Sequence, residues 1–418
     1  MRSRLIVLAI AASLGLTSFT AVAVPLKAGS AVVDRSEVEL LKAQLAVLQA
    51  KVNALEQRAD ARPAIDANAT QRAVATSSAV PTSDNKLAVP EQAMNHTELS
   101  GKMFFDFTRI NDRNSDQGKS DKSGVGLDVK RFYLGVDHTF NDIWSANLTT
   151  DFSYSASDGR TSLFVKKAYV QGRFDDAAVL RVGSSDMPWI PLVDQYSGFR
   201  YVESSMTDRL KYGNSADWGL HLGGEVGAGM PLSYAVSVVN GNGYKNPGRS
   251  QGVDVEGRVG FEPFANTVVA IGGYRGHRGQ ETQNVPAVHV AERGDIMLAY
   301  ASKTFRLGAE YFAARNWNNV LNPLADRADG YSLWGSVAVA DDVSLFARYD
   351  SANLSKSLDH DARDTYYHAG VEYQVTKGFK LAGVWKHGDA HKSVATPLPP
   401  HVQSVRTDEV GVFGEVAF

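Results

Sequence analysis

The chain has 418 residues, with 43 Lys and Arg set against 46 Asp and Glu, a net charge of −3. That balance leaves no basic excess to grip nucleic acid. The absence of cysteine excludes disulfides, thiol catalysis and thiolate metal sites.

Residues 1–23 open with Arg2 and Arg4, continue apolar from Leu5 to Leu16, and close on Ala21-Val22-Ala23. This reads as a secretory signal peptide. No later stretch holds the ~18 consecutive apolar residues of a membrane-spanning helix. Residues 31–60 carry the strong helix signal. Val38, Leu45 and Val52 fall at heptad a, and Leu41, Leu48 and Leu55 at d, which predicts a short coiled coil. Residues 61–97, rich in Ala, Thr, Ser and Pro, cannot bury enough surface to fold and read as a disordered linker.

From residue 98 to 418 the period changes to two. Trp144, Ala146, Leu148, Thr150 and Phe152 alternate with Ser145, Asn147, Thr149, Asp151 and Ser153. Phe305, Leu307, Ala309 and Tyr311 alternate with Arg306, Gly308 and Glu310. Short turns near 141–142, 174–177, 228–231, 262–266, 302–303, 340–342 and 376–378 interleave with long polar loops. The loops fall near 110–126, 155–160, 188–215, 241–251, 278–291, 315–327, 353–363 and 390–404. The pattern predicts an all-β fold: an antiparallel transmembrane β-barrel of about sixteen strands, preceded by the coiled-coil helix. The strand at 266–275 has ambiguous parity. The last strand, Val410–Phe418, alternates apolar residues and ends on an aromatic, which resembles the signal read by the barrel-assembly machinery. Gly414 stands where such strands carry a larger side chain.

Lys130-Arg131-Phe132-Tyr133-Leu134-Gly135-Val136, Asp142-Ile143-Trp144 with Asp151-Phe152, and Lys167-Ala168-Tyr169-Val170 follow in order. Arg181-Val182-Gly183 with Met187-Pro188, then Phe199 with Glu203-Ser204-Ser205, and Gly219-Leu220-His221-Leu222 continue the pattern. Together these resemble the phosphate-selective porin O and P family of Gram-negative outer membranes. The resemblance implies a sixteen-stranded trimeric barrel set in outer-membrane lipid, with the coiled coil in the periplasm. It also implies passive diffusion of small hydrophilic, often anionic, solutes.

Inward parity places Lys102, Arg131, Lys167, Arg173 and Arg181 on the lumen wall, with Arg258, Arg306, Arg348, Lys380 and Lys386 further on. A comparable set of carboxylates shares that face, among them Asp106, Asp151, Glu256, Glu310, Asp350, Glu372 and Glu409. A phosphate pore wants a continuous basic ladder. Two readings therefore stay open: a local basic strip, or ion pairs bracing the wall. The third loop carries Trp189, Asp194, Tyr196, Arg200, Tyr201, Glu203, Asp208, Arg209 and Lys211. So many apolar groups predict that it folds against protein, inside the lumen if this is a porin.

No cofactor or metal site is expected. Asp112-x-Asn114-x-Asp116 starts like a calcium loop but lacks its glycine and its bidentate acid. The late histidines 360, 368, 387, 391 and 401 are expected in exposed loops. A carbohydrate-selective porin remains an alternative. An outer-membrane enzyme such as a phospholipase is a second, which would need a Ser/His/acid set that parity does not supply.

Overall fold

The computed structural model describes residues 96–418 apart from 121, 156–159, 228–230 and 395–399. The predicted signal peptide, the coiled coil and all but the end of the linker lie outside the described residues. Thr97, the linker's last residue, already belongs to the first strand.

The strands are β1 (Thr97–Asn114), a two-residue β2 (Gly118–Lys119), β3 (Gly124–Thr139), β4 (Trp144–Ser155), β5 (Arg160–Asp175) and β6 (Ala178–Asp186). After two short helices come β7 (Ala216–Val226), β8 (Leu232–Val239), β9 (Asp254–Phe261), β10 (Thr267–Gly276), β11 (Ala291–Ala301) and β12 (Phe305–Arg315). The last are β13 (Arg327–Ala340), β14 (Val343–Asn353), β15 (Arg363–Thr376), β16 (Phe379–Val394) and β17 (His401–Ala417). Each long strand pairs antiparallel with its neighbours in sequence, and β1 pairs with both β3 and β17. The sheet is therefore a closed sixteen-stranded barrel with β2 as a small annex on β1. Closure leaves no free strand edge.

Several strands extend beyond the expected ten residues. β1 and β3 run into the segment expected as the loop 110–126, because Arg109 to Asn114 stay paired with β17 as well. The outer face is apolar, as parity predicts: Leu134, Leu148, Val236, Leu307 and Val412 all stand exposed.

The closing seam explains the unusual glycine. A Cβ on Gly414 would fall 2.3 Å from the ring of Phe105, its partner across the seam. The neighbouring strand thus supplies the side chain that position 414 lacks. Phe418 does the same for Gly101, lying on its backbone and exchanging two hydrogen bonds with it at 2.9 and 3.0 Å.

Strict alternation fails at two interior sites of the first half. In β3 the register skips Lys130, since Phe104 faces Arg131 and Phe105 faces Val129. In β5 it skips Lys166, since Thr149 faces Lys167 and Thr150 faces Val165. Each is a β-bulge, in which one extra residue stands against one partner. The physical reason is charge. Strict parity would aim one member of each dibasic pair at lipid, at a cost of ~2–4 kcal/mol near mid-bilayer.

Candidate functional site

The third long loop, 187–215, decides the interior. Its first helix, α1 (Ile190–Ser197), starts with a proline near its N-terminus and stops at Gly198, whose φ is 80°. Ile190, Leu192, Val193 and Tyr196 are its buried residues. With Trp189, the last three of these pack on Val268, Ala270, Met297, Ala299 and Trp334 of β10, β11 and β13. This explains the ambiguous parity of 266–275: one face meets lipid and the other meets the loop, so both are apolar. Tyr201 and Val202 then cross to Phe104, Phe346, Ala382, Val384 and Phe413. A single turn of helix, α2 (Met206–Arg209), leads back to Tyr274, Phe312, Ala314 and Trp317, where Met206 and Tyr212 are buried.

Polar bonds fix the same path. Trp189 N–H donates to Glu256 at 2.9 Å, and the Tyr201 hydroxyl donates to Glu372 at 2.7 Å. Arg348 donates to the carbonyl of Ser204 at 2.6 Å, and Lys386 to that of Val202 at 2.9 Å. Arg209 reaches Asp350 at 3.1 Å and Asp364 at 2.6 Å. Burial raises the Glu203 carboxyl, but Lys386, Lys130, Arg209 and Arg348 outweigh it and hold the group well below the usual carboxylate range.

Arg200 sits between Asp194 at 2.9 Å and Asp208 at 2.8 Å, an ion network within the loop itself. Burial pushes the Asp194 carboxyl up, against the pull of Arg200. Lys211 is exposed, with φ 63°, and its carbonyl accepts from the indole of Trp317 at 2.8 Å.

The predicted basic residues do not form one strip. Arg131 is bound to Asp151 at 2.5 Å and Lys167 to Asp186 at 2.5 Å. Arg173, at the short-turn end, pairs with Asp176 at 3.1 Å. Lys102 stands exposed near the same end of β1, away from the others. Arg181 has no carboxylate partner among the described residues. Its Nε donates to Gln171 at 2.8 Å, and its guanidinium lies 5.1 Å from the Tyr169 ring. Most other lumen cations are likewise paired: Arg293 with Glu256 and Asp295, Arg348 with Asp350, and Lys386 with Glu203 and Glu409.

Parity reading missed Lys130 and Lys166. The bulges turn both inward, Lys130 to Asp106 at 2.8 Å and Lys166 over the Tyr133 ring at 4.7 Å. A charged residue at a lipid-facing position inside a strand was the available signal.

Histidine placement also departs from the exposed-loop expectation. His368 is buried on β15 beside Tyr366, and His387, His391 and His401 lie on strands. Asp112 and Asp116 are tied to Thr407 and to His401 with Gln403 respectively, so the calcium-like spacing is part of the wall's own bonding.

A closed barrel with an apolar outside, a charged inside and an inward-folded third loop is the architecture of an outer-membrane porin. The family resemblance read in the sequence holds: residues 98–267 match the model of phosphate-selective porin O and P. Among solved structures, the chain is similar to the outer membrane channel DcaP of Acinetobacter baumannii. The TM-score is 0.54 at 10% identity, covering 77% of this chain and 97% of that one. It is also similar to an anion-selective porin from Comamonas acidovorans, with TM-score 0.53, 14% identity and coverage of 77% and 99%. OmpF of Salmonella typhi, solved with daunomycin, gives TM-score 0.51 at 12% identity, with coverage of 77% and 97%. At these identities the likeness is one of fold. No curated protein matches the chain.

Proposed function

We propose that the protein is a non-enzymatic outer-membrane channel for passive diffusion of small hydrophilic solutes, weakly preferring anions, with loop 187–215 as its constriction. One contrast carries the reading. The inward side chains of β10 to β14, from Val268 and Met297 to Phe312, Trp334 and Arg348, are buried beneath the loop. On β3 to β9, by contrast, Arg131, Lys167, Tyr169, Arg181 and Arg258 remain half-exposed, although Asp151, His221, Ser237 and Glu256 beside them are buried. The water path therefore runs off-centre, along β3 to β9, between that wall and the loop's Asp194, Arg200 and Asp208.

Among the described residues of this wall the cations without a carboxylate, Lys166, Arg181 and Arg258, are matched by acids without a base, among them Asp137 and Glu225. The anion preference is therefore no more than of order RT, about 0.6 kcal/mol, or roughly threefold in permeability. A phosphate-specific ladder is not supported, because most lumen cations have a carboxylate beside them and those that do not are scattered. The loop's aromatics Trp189, Tyr201 and Tyr212 are spent on the wall, which disfavours a sugar-stacking slide. A homotrimer, with the N-terminal helix in the periplasm, completes the proposal.

Single-channel recording tests it. Removing residues 190–211 should raise conductance, and Arg131→Glu with Lys167→Glu should move the reversal potential toward cations. Unchanged conductance after loop removal would defeat the constriction. Release of fatty acid from phospholipid by the purified protein would defeat the channel-only reading.

A further inference from the structure

Beside the off-centre path, the wall of β5 to β9 holds a recess of about 400 Å³, toward the short-turn end of the barrel. Two rows of the sheet build it. One row runs Gln171, Arg181, His221, Ser237 across four strands. The next runs Arg173, Val179, Gly223, Ala235, Arg258. Gly223 and Ala235 have almost no side chain, so the second row sinks between Val179 and Arg258 and leaves a small apolar floor.

The donors around that floor are under-used. His221 is 6% exposed, and its Nδ1 is 2.8 Å from the Ser237 hydroxyl. Arg258 donates one Nη1–H to Ser233 at 3.0 Å, while its Nε is buried without a partner. Arg181 has no acid of its own. A buried donor without an acceptor is costly and rare, so the Arg258 Nε and the acid-free Arg181 on one recess point to an acceptor that arrives from the channel.

We propose that this recess binds a small organic carboxylate. Its oxygens would be held by the Arg258 fork, with Arg181 beside them and the short carbon body on Gly223, Ala235 and Val179. The choice of carboxylate over phosphate follows from charge. Arg173, Arg181 and Arg258 line the recess, and so do Asp176, Asp186 and Glu225, three cations against three anions. Asp176 and Asp186 are already neutralised by Arg173 and Lys167. That leaves Arg181 and Arg258 against Glu225, one net positive charge, which a planar monoanion on a two-pronged donor cancels. A doubly charged phosphate would exceed it.

The inference rests on the channel reading and adds a ligand class and a site to it. The test is ion current through the full-length protein in a planar bilayer, in potassium chloride, with butyrate or inorganic phosphate titrated on both sides. Butyrate should reduce current saturably. Arg258→Gln and Arg181→Gln should each raise its half-blocking concentration at least tenfold, and Ala235→Phe, which fills the floor and leaves the charges, should abolish the block. Lys303→Gln, in a turn outside the recess, should leave it unchanged. Butyrate block that survives Arg258→Gln, or phosphate blocking more tightly than butyrate, would overturn the site while the channel stood. A protein that folds and never conducts would overturn the channel, and this inference with it.

Discussion

Deleting Lys130 should be tolerated, although it removes a residue from the middle of a membrane strand. β3 skips Lys130 in its pairing with β1, so its removal restores an unbroken ladder, Phe104 to Arg131 and Phe105 to Val129. Every other side chain keeps its face. The loss is the ion pair at 2.8 Å with Asp106, whose side chain is 1% exposed. An orphaned buried carboxylate costs ~3–5 kcal/mol, so the deletion is best combined with Asp106→Asn. The paired variant should then fold within about 1 kcal/mol of the parent, because exchanging a buried pair for neutral groups is close to neutral. Deleting Leu134 instead removes a residue that is paired on both sides, with Gly101 and with Thr150. The segment on one side of the cut must then change face. That turns Arg131 or Asp137 toward lipid, at ~2–4 kcal/mol for a basic group near mid-bilayer and less for an acid. Urea titration of refolding into lipid vesicles, followed by tryptophan fluorescence, measures both. Equal destabilisation by the two deletions would refute the bulge.

Arg at Leu148, which faces lipid, should cost ~2–4 kcal/mol in the same titration, whereas Arg at Asn147, bonded inward to Asp137 at 2.7 Å, should cost far less. Because Glu203 titrates far below an ordinary glutamate, near 4.3, its support of the docked loop is complete above that value and is lost only as pH falls through the lower, folded one. Conductance should therefore stay level from pH 7 to about pH 4, and a step near pH 4.3 would contradict the assignment. Glu203→Gln frees Lys386 from one of its two carboxylates, at 3.3 and 3.2 Å, and should raise the anion-to-cation permeability ratio. Phe418→Ala uncovers Gly101 and should slow assembly into membranes in cells; unchanged assembly would remove the terminal ring from the recognition signal.

The barrel was legible because lipid enforces one rule on sixteen strands, and an exposed leucine such as Leu307 every second residue is hard to produce otherwise. The alternation of short and long connections was legible for a related reason, since only one barrel end carries loops large enough to fold back. The bulges at Lys130 and Lys166 escaped because a period-two reading carries parity straight through a strand, and a one-residue insertion reverses it without changing composition. Arg131 and Lys167 were placed inward, but their carboxylate partners were not foreseeable. Which acid meets which base depends on register across strands, such as Tyr133 against Asp151, and periodicity along one strand does not contain it.

The loop shows why the lumen was harder to read than the outer face. A porin wall is expected to alternate apolar outward with polar inward, yet Met297, Phe312, Trp334 and Phe413 point inward and are fully or nearly buried. They are the receiving surface for Trp189, Tyr201, Val202 and Tyr212, and the two sets of apolar residues account for each other. The same packing determines where water can go. A loop held on β10 to β14 by burial, and bolted to β14 and β16 by Arg348 and Lys386, cannot occupy the opposite wall. On the proposed path the charges left facing the water are those of β3 to β9, and selectivity is then expected from that half of the barrel. Arg181, Arg258 and Lys166 weigh most within it, because among the described residues no carboxylate of the wall pairs with them.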